Sequence, residues 1–87
     1  MLSTEDVDRV SFAEVKFREG YDLEEVDAFV AAIRASIAAG PNASGVLGSA
    51  DVNRVRFQPT KFRAGYHQDQ VDAFLEKAED TLRTFGR

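Results

Sequence analysis

The 87-residue sequence contains no cysteine, no tryptophan and only two prolines. The absence of cysteine excludes disulfide bonds, thiol catalysis and cysteine-ligated zinc, and it suits the reducing cytoplasm. No apolar run approaches the roughly eighteen residues of a membrane span, and the first ten residues, MLSTEDVDRV, are acidic where a signal peptide is basic. We therefore expect a cytoplasmic protein, with any membrane contact peripheral and on the inner face of the cell membrane.

Positive charge is scarce in the first half of the chain. The whole sequence has 11 Lys/Arg and 15 Asp/Glu, a net charge of −4. Residues 1–45 hold four basic and nine acidic side chains, a net of −5, and residues 46–87 hold seven and six, a net of +1. An acidic chain disfavours general nucleic-acid binding, so no nucleic-acid partner is expected. The opposite character of the halves favours pairing of one with the other, with ordinary variation of surface residues as the alternative.

A repeat fills most of the chain. Residues 6–37 align with residues 51–82 at a constant offset of 45, with 14 identities in 32 positions and no gap. The segment between the copies, GPNASGVLGS, is rich in small and turn-forming residues and is typical of a linker. The predicted organisation is repeat 1 at 1–39, the linker at 40–49 and repeat 2 at 50–87, with the two repeats sharing one core.

Each repeat has the pattern of a short helix, an extended loop and a longer helix. In repeat 1, Ser3 is a predicted N-cap with Asp6 reaching back to it, and Asp22 with Glu25 predicts a second capping box. Between these two starts, apolar and polar residues alternate, which indicates extended backbone. Gly40, followed by a proline, predicts the end of the long helix.

A glycine and a tyrosine precede the long helix of each repeat. These turn residues are Gly20 with Tyr21 and Gly65 with Tyr66, and the glycines are expected to adopt a positive φ, which costs glycine little. His67 replaces the capping aspartate in repeat 2, so the second long helix should have the weaker start. This lone histidine is expected to contact solvent, and no metal site is predicted.

The long helices carry apolar residues at a spacing of three and four, an a/d pattern that favours packing against another helix. The predicted fold class is all-α, with two tandem short-helix/loop/long-helix units whose long helices pair as a short parallel coiled-coil-like bundle. Phe29 and Phe74 lie beside this seam and are expected to hold the loop and the short helix against the long helix. The predicted seam residues are Leu23, Val26, Val30, Ile33 and Ile37 in repeat 1, and Gln68, Val71, Leu75, Ala78, Leu82 and Phe85 in repeat 2.

Catalysis finds little support in the sequence. The acidic residues between 22 and 27 stand at a helix start, where they cap the helix and complement its dipole. Asp27 and Asp72 are expected to form structural bridges to Arg9 and Arg54 of the short helices. We predict no enzyme, no catalytic residue, no cofactor and no small-molecule substrate.

The motifs of both repeats, in the order D-V-x-x-V-x-F, F-R-x-G-Y and V-D-A-F, resemble a known family. They are similar to the N-terminal domain of DivIVA, the bacterial pole and septum protein, and to the DivIVA-like repeat proteins that carry this module in tandem. The resemblance covers nearly all of the chain outside the linker. It implies a bacterial scaffold or adaptor of cell division, which self-associates through its helix seams and partners itself or another DivIVA-like coiled-coil protein.

The resemblance also implies contact with an anionic membrane surface. In DivIVA, loops at the tip of a parallel coiled-coil dimer carry an exposed phenylalanine that enters lipid and a basic residue that lies near phosphate. Repeat 2 has no acidic residue between Asp51 and Asp69 and is expected to lead such a contact. The alternative is a soluble protein–protein interaction module without membrane contact, which burial of the loop phenylalanines would favour. By position, the membrane-contact candidates are Phe17, Arg18, Arg56, Lys61, Phe62 and Arg63.

The tandem arrangement suggests a single-chain imitation of the family's dimer. A helix of about 17 residues is roughly 25 Å long, and a linker of about ten residues could extend to roughly 33 Å. The second long helix can therefore return and lie parallel to the first. Pairing of two chains across a two-fold axis is the competing hypothesis.

Overall fold

The structure is a computed structural model that describes residues 1–43 and 46–86. The described chain is mainly helical, as predicted, but it also contains a small antiparallel sheet of four short strands, which an all-α class omits. Ser44 and Gly45 of the predicted linker and Arg87 of repeat 2 lie outside the described residues. The elements are α1 (Thr4–Arg9), β1 (Glu14–Val15), β2 (Gly20–Tyr21), α2 (Leu23–Ala39), α3 (Ser49–Arg54), β3 (Pro59–Thr60), β4 (Gly65–Tyr66) and α4 (Gln68–Thr84).

The helices of repeat 1 begin and end at the residues that the sequence predicts. The hydroxyl of Ser3 accepts a hydrogen bond from the Asp6 N–H at 3.2 Å, and the Asp6 carboxylate accepts one from the Ser3 N–H at 3.0 Å. The Asp22 carboxylate likewise accepts from the Glu25 N–H at 3.0 Å. Helix α2 ends at Gly40, whose φ of 83° is a conformation that glycine adopts without strain.

The helices of repeat 2 have weaker starts. Helix α3 begins at Ser49, the last residue of the predicted linker, and its N-cap Gly48 has no side chain to accept a hydrogen bond. Half of a capping box remains, because the Gly48 N–H donates to the Asp51 carboxylate at 2.8 Å. His67 makes no side-chain capping bond to α4, which agrees with the weaker start expected there.

The sheet joins the two repeats. Its strand order is β1-β4-β2-β3, and all neighbouring strands are antiparallel. Each edge strand of one repeat pairs with a central strand of the other, and the central strands meet at Tyr21 and Tyr66. The predicted extended segments are confirmed in part, because each contains two short strands separated by a bend. The strands pair with strands far along the chain, which alternation within a segment cannot reveal.

Backbone contacts between the repeats occur twice, once in each direction. The Asp22 N–H donates to the Gln58 carbonyl at 2.9 Å, and the His67 N–H donates to the Ala13 carbonyl at 2.8 Å. Both donors and both acceptors are equivalent at the offset of 45. A pseudo-two-fold axis therefore relates the repeats, as a two-fold axis relates the two subunits of an isologous dimer.

Side chains at the starts of the two long helices also form hydrogen bonds between the repeats in both directions. The carboxylate of Glu25 accepts from the Gln58 N–H at 2.7 Å, and the amide oxygen of Gln70 accepts from the Ala13 N–H at 2.7 Å. The prediction that Glu25 closes a capping box within its own helix is therefore wrong. Its acceptor instead satisfies a backbone donor that the extended segment of the other repeat presents.

Gly20 and Gly65 are needed for close approach of strands, and the predicted positive φ at these positions is wrong. A β-carbon at Gly20 would lie 2.9 Å from the carbonyl oxygen of Tyr66. A β-carbon at Gly65 would overlap Oγ1 of Thr60 and lie 3.0 Å from the carbonyl oxygen of Tyr21. Any larger residue would push the central strands apart.

All four helices contribute to one core. Both short helices supply a valine, and both long helices supply the larger side chains, so neither repeat encloses this core by itself. A 40-residue unit could bury little apolar surface alone, and sharing a core overcomes that limit. The buried core residues of this cluster are Val7, Ile33, Ile37, Val52, Phe74, Ala78 and Leu82.

Two aromatic clusters hold the segments after the short helices. Each contains the phenylalanine that follows a short helix and a phenylalanine and a tyrosine of the opposite repeat, with ring centroids 5.4 to 5.8 Å apart. Phe29 and Phe74 therefore hold the loop of the other repeat rather than that of their own. The clusters are Phe12 with Tyr66 and Phe74, and Phe57 with Tyr21 and Phe29.

Every predicted seam residue is buried or half-buried. The buried face is wider than an a/d stripe, since Ser36, Phe74 and Thr81 are also buried. Helices α2 and α4 start directly after the two central strands, and the molecule is elongated, with extents of 42 × 23 × 17 Å. Pairing of these helices as a parallel coiled coil stays a prediction.

Candidate functional site

Two loops at the sheet carry most of the predicted membrane-contact residues. Loop 1 (residues 16–19) connects β1 with β2, and loop 2 (residues 61–64) connects β3 with β4. Each loop contains the sequence Lys-Phe-Arg. We name the part of the molecule where both loops flank the sheet and both long helices begin the sheet end.

The phenylalanines of both loops are exposed. Phe17 is 81% exposed and Phe62 is 73% exposed, and Met1 is the remaining large apolar side chain exposed in the described chain. Two of these three side chains stand at equivalent positions of the two repeats. Neither loop phenylalanine is therefore buried in the core. Burial of these side chains would have favoured a module without membrane contact.

Loop 2 holds its phenylalanine in an unusual conformation. Phe62 has a φ of 68°, the left-handed region, and it is the one non-glycine residue with a positive φ among residues 1–43 and 46–86. This region costs a bulky residue on the order of 1 kcal/mol, and such strain is commonly found at functional positions. The Lys61 ammonium lies 5.6 Å from the centre of the Phe62 ring, within cation–π distance.

The arginines of the two loops have different partners. The Arg63 guanidinium donates to the Asp22 carboxylate at 3.1 Å, so the N-cap of α2 also holds the cation of loop 2. The Glu25 N–H first, and Arg63 second, lower the pKa of Asp22 below its ordinary value. The equivalent Arg18 has no ion pair or hydrogen bond within the described chain, because His67 stands where repeat 1 has the aspartate.

The sheet end has almost no net charge. Residues 14–22 and 59–67 together carry four basic and three acidic side chains, and one of those basic groups is already paired. Arg56 precedes this region, and its guanidinium donates to the carbonyls of Asn53 at 3.2 Å and Val55 at 2.7 Å near the end of α3. Attraction of the loops to anionic lipid is therefore weak.

The two tyrosines of the sheet link the repeats. The Tyr21 hydroxyl donates to the Asp72 carboxylate at 2.8 Å, and the Tyr66 hydroxyl donates to the Asp27 carboxylate at 2.6 Å. Burial, followed by the Asp72 hydrogen bond, raises the pKa of Tyr21 to about 12. The Asp27 hydrogen bond, followed by burial, raises the pKa of Tyr66 to about 12.

These contacts correct the predicted role of the two aspartates. Asp27 and Asp72 bind the tyrosines of the opposite repeat, so the predicted bridges to Arg9 and Arg54 are wrong. Arg9 instead lies 3.7 Å from Glu5 on its own helix. The aspartate of the V-D-A-F motif, which is present in both repeats, thus forms a contact between the repeats.

His67 is half-buried, so the side chain keeps only part of the solvent contact that the sequence predicts. Its Nδ1 is buried and has no hydrogen-bond partner within the described chain. It lines a small cavity of about 130 Å³ with Arg18, Glu19, Gln68 and Asp69. The imidazole thus fills the place of a capping carboxylate without making its hydrogen bonds.

Other parts of the described chain are weaker candidates for a functional site. Across residues 1–43 and 46–86, no three His, Asp or Glu side chains form a group that could hold a metal ion. A groove of about 790 Å³ lies between α1 and α4, and its lining includes Asp6, Phe12, Phe74 and Lys77. The exposed loops therefore remain the stronger candidate surface.

The sequence carried one signal for the contacts that the predictions missed. The tyrosine of Gly-Tyr and the aspartate of V-D-A-F are identical in both repeats, as a contact related by a two-fold axis requires. The pairing of Asp22 with Arg63 has no such signal, because the equivalent positions hold His67 and Arg18.

No protein-family model, curated protein or solved structure matches this chain. In the part of the chain that the structure describes, no helix has both the length and the apolar character needed to cross a membrane. The resemblance to DivIVA therefore depends on the repeated motifs, and the loops supply the surface on which it can be tested.

Proposed function

We propose that this protein is a non-enzymatic, DivIVA-like adaptor that contacts a membrane surface through Phe17 and Phe62 at the sheet end. The exposure of both side chains, at equivalent positions of two loops, is the observation that carries the proposal. Exposed aromatic side chains on two loops of the same sheet suit insertion into a lipid surface.

The proposed contact is weak and mainly apolar. Burial of two phenylalanine side chains in lipid stabilises binding by at most a few kcal/mol, which allows reversible association only. Charge adds little, because Asp22 already holds Arg63 and the sheet end is nearly neutral. Stable localisation would therefore need several chains acting together or a second binding signal.

The partner surface must lie outside the helix seam. The seam residues of α2 and α4 are buried or half-buried within one chain, so a partner's helix cannot reach them while the two repeats stay together. We propose that a second copy or another DivIVA-like coiled-coil protein binds through the loops or the outer helix faces. This arrangement supports a single-chain imitation of a dimer over exchange of seam helices between chains.

Sedimentation with vesicles tests the membrane contact. The wild-type chain, Phe17→Ala, Phe62→Ala and Arg63→Ala would be mixed with phosphatidylcholine vesicles with and without phosphatidylglycerol, at two salt concentrations. We expect the wild type to sediment with vesicles and the two phenylalanine variants to lose most of that binding. Arg9→Ala is the matched control for charge, because the Arg9 side chain is 78% exposed and lies on α1, outside the loops.

Two outcomes would decide between the functional classes. Binding that depends on Phe17 and Phe62 and changes little with salt supports apolar insertion by the loops. Absence of sedimentation for every form contradicts the membrane role and favours the soluble protein–protein interaction module. Circular dichroism of each variant checks that lost binding does not reflect unfolding.

A further inference from the structure

The contacts between the repeats fall into two classes. In the first class, the same contact forms in both directions, as in the bonds from Tyr21 to Asp72 and from Tyr66 to Asp27. The repeats carry identical residues there, so a pair of two repeats 1 or two repeats 2 would make these bonds equally well. Contacts of this class hold the repeats together without selecting a partner.

The ion pair between Asp22 and Arg63 belongs to the second class, which forms in one direction only. The equivalent positions in the other direction are His67 and Arg18, which do not pair. A pair of two repeats 2 would set Arg63 against His67 twice and lose the ion pair. This contact therefore selects against pairing of repeat 2 with itself. Two repeats 1 would instead set Arg18 against Asp22 twice, so the mismatch of repeat 1 with itself must come from other contacts.

A polar contact beside it selects against both kinds of like pair. The Gln68 amide donates to the Glu19 carboxylate and to the Gly20 carbonyl, both at 3.3 Å. The equivalent positions in the other direction are Leu23 and Ala64, which are apolar and half-buried. Two repeats 1 would set Glu19 against Leu23, and two repeats 2 would set Gln68 against Ala64, so the bond between these two side chains would be lost in either case, while Gln68 could still donate to the carbonyl of Gly65.

The side-chain volumes of equivalent core residues are also complementary between the two repeats. Ile33 and Ala78 are equivalent at the offset of 45, both are 0% exposed, and both belong to the shared core cluster. A two-fold axis places equivalent residues at the same level of the core. Two repeats 1 would place two isoleucines, and two repeats 2 would place two alanines, in a core that holds one of each, so the first pair would be overpacked and the second underpacked.

We infer that each repeat presents an interaction surface that is matched to the opposite repeat and mismatched with a second copy of itself. The partner that fits repeat 1 is repeat 2, and the chain satisfies both surfaces internally. The protein is therefore a closed unit with no free copy of this surface for linking chains. This inference does not depend on the membrane contact proposed above.

Exchange of residues between the repeats of the full chain tests the volume match. Ile33→Ala should lower the folding equilibrium constant roughly 30-fold or more, and Ala78→Ile should lower it at least about fivefold. The exchanged variant, Ile33→Ala with Ala78→Ile, keeps one large and one small side chain and should return to within about tenfold of the wild type. Urea unfolding of the four chains gives these constants.

A second exchange tests the polar match. Glu19→Ala with Ala64→Glu places a glutamate opposite Leu23 and should destabilise the chain. Adding Leu23→Gln and Gln68→Leu restores one polar pair and one apolar pair, and should recover most of the loss. Ala31→Glu with Glu76→Ala is the matched control, because both positions are exposed and the change should stay within about twofold.

The two kinds of result are distinct. Recovery of stability in both exchanged variants, with the mass of one chain in sedimentation velocity, supports the inference. Exchanged variants that lose as much stability as their component changes added together would overturn it. A wild-type chain that sediments as a two-chain assembly and dissociates on Ala78→Ile would also overturn it.

Discussion

Loop 1 and loop 2 connect equivalent strands and contain the same three residues, yet their side chains are held differently. Arg63 pairs with Asp22, whereas Arg18 faces His67 and stays unpaired within the described chain. Phe62 adopts a left-handed conformation and its counterpart in loop 1 does not. The comparison teaches that the same three residues do not fix the backbone of a loop, and that the residue opposite each loop determines which charges are available on the surface.

The equivalent phenylalanines of the long helices differ in burial, and replacing them should give the largest difference in stability between the two repeats. Phe74 is 6% exposed and belongs to the core cluster, whereas Phe29 is only half-buried. We expect Phe74→Ala to lower the free energy of unfolding by about 3 to 5 kcal/mol, and Phe29→Ala to cost less by at least about 1 kcal/mol. Urea unfolding measures both, and equal losses would contradict the stated difference in burial.

The hydrogen bonds donated by Tyr21 and Tyr66 predict how the stability of the chain changes at high pH. The pKa values of Tyr21 and Tyr66 are raised from 10 to about 12, so the folded chain holds these protons more tightly than the unfolded chain. Their contribution to stability is complete below pH 10 and is lost as the pH rises from 10 through about 12.

Removal of both hydroxyls is the matching variant. Tyr21→Phe with Tyr66→Phe should lower stability at pH 7 by about 1 kcal/mol for each hydrogen bond. It should also flatten the fall in stability between pH 10 and 12, measured by urea unfolding at each pH. Parallel curves for the wild type and the double variant would show that these hydroxyls do not carry the dependence.

Because Phe62 has a strained conformation, replacing it should raise the stability of the chain, whereas the same replacement in loop 1 should not. Asparagine tolerates the left-handed region, so Phe62→Asn should raise the free energy of unfolding by up to about 1 kcal/mol. Phe17→Asn is the control at the equivalent position and should bring no gain. Thermal unfolding compares the two, and a similar gain in both would rule out strain at Phe62 as its cause.

The smallest expected effect concerns the loop arginines. Arg63→Ala removes a partly exposed ion pair with Asp22 and should cost about 0.2 to 1 kcal/mol, less at high salt. Arg18→Ala removes no ion pair and should leave stability unchanged. A double-mutant cycle with Asp22→Ala isolates the pair, and a coupling energy of zero would mean that the bond adds nothing to folding.

The parts of the fold that depend on neighbouring residues were predictable. The capping of α1 by Ser3, the end of α2 at Gly40 and the apolar seam all follow from residues a few positions apart, and the structure contains each of them. The candidate loops were also identified, because Phe17 and Phe62 stand in a motif that occurs twice. Whether those side chains were exposed or buried could not be predicted, since alternation with charged residues suits either environment.

The contacts between the repeats could not be predicted from local patterns. Two-residue strands carry too few positions to show a period, and their partners come from the other repeat. Glu25 was predicted as a local cap because its acceptor suits that role equally well, and Gly20 was predicted as a turn residue because sequence does not distinguish positive φ from close approach.

The sequence by itself determined two similar units, their helix ends and their apolar faces, because these depend on short-range hydrogen bonding and spacing. Only the tertiary structure decided that the strands and the Tyr–Asp bonds pass from one repeat to the other. It also decided that the seam residues are buried or half-buried within one chain while Phe17 and Phe62 remain outside the core. The physical reason is that a small repeat cannot satisfy its backbone donors or bury its apolar face alone, so its partner determines both.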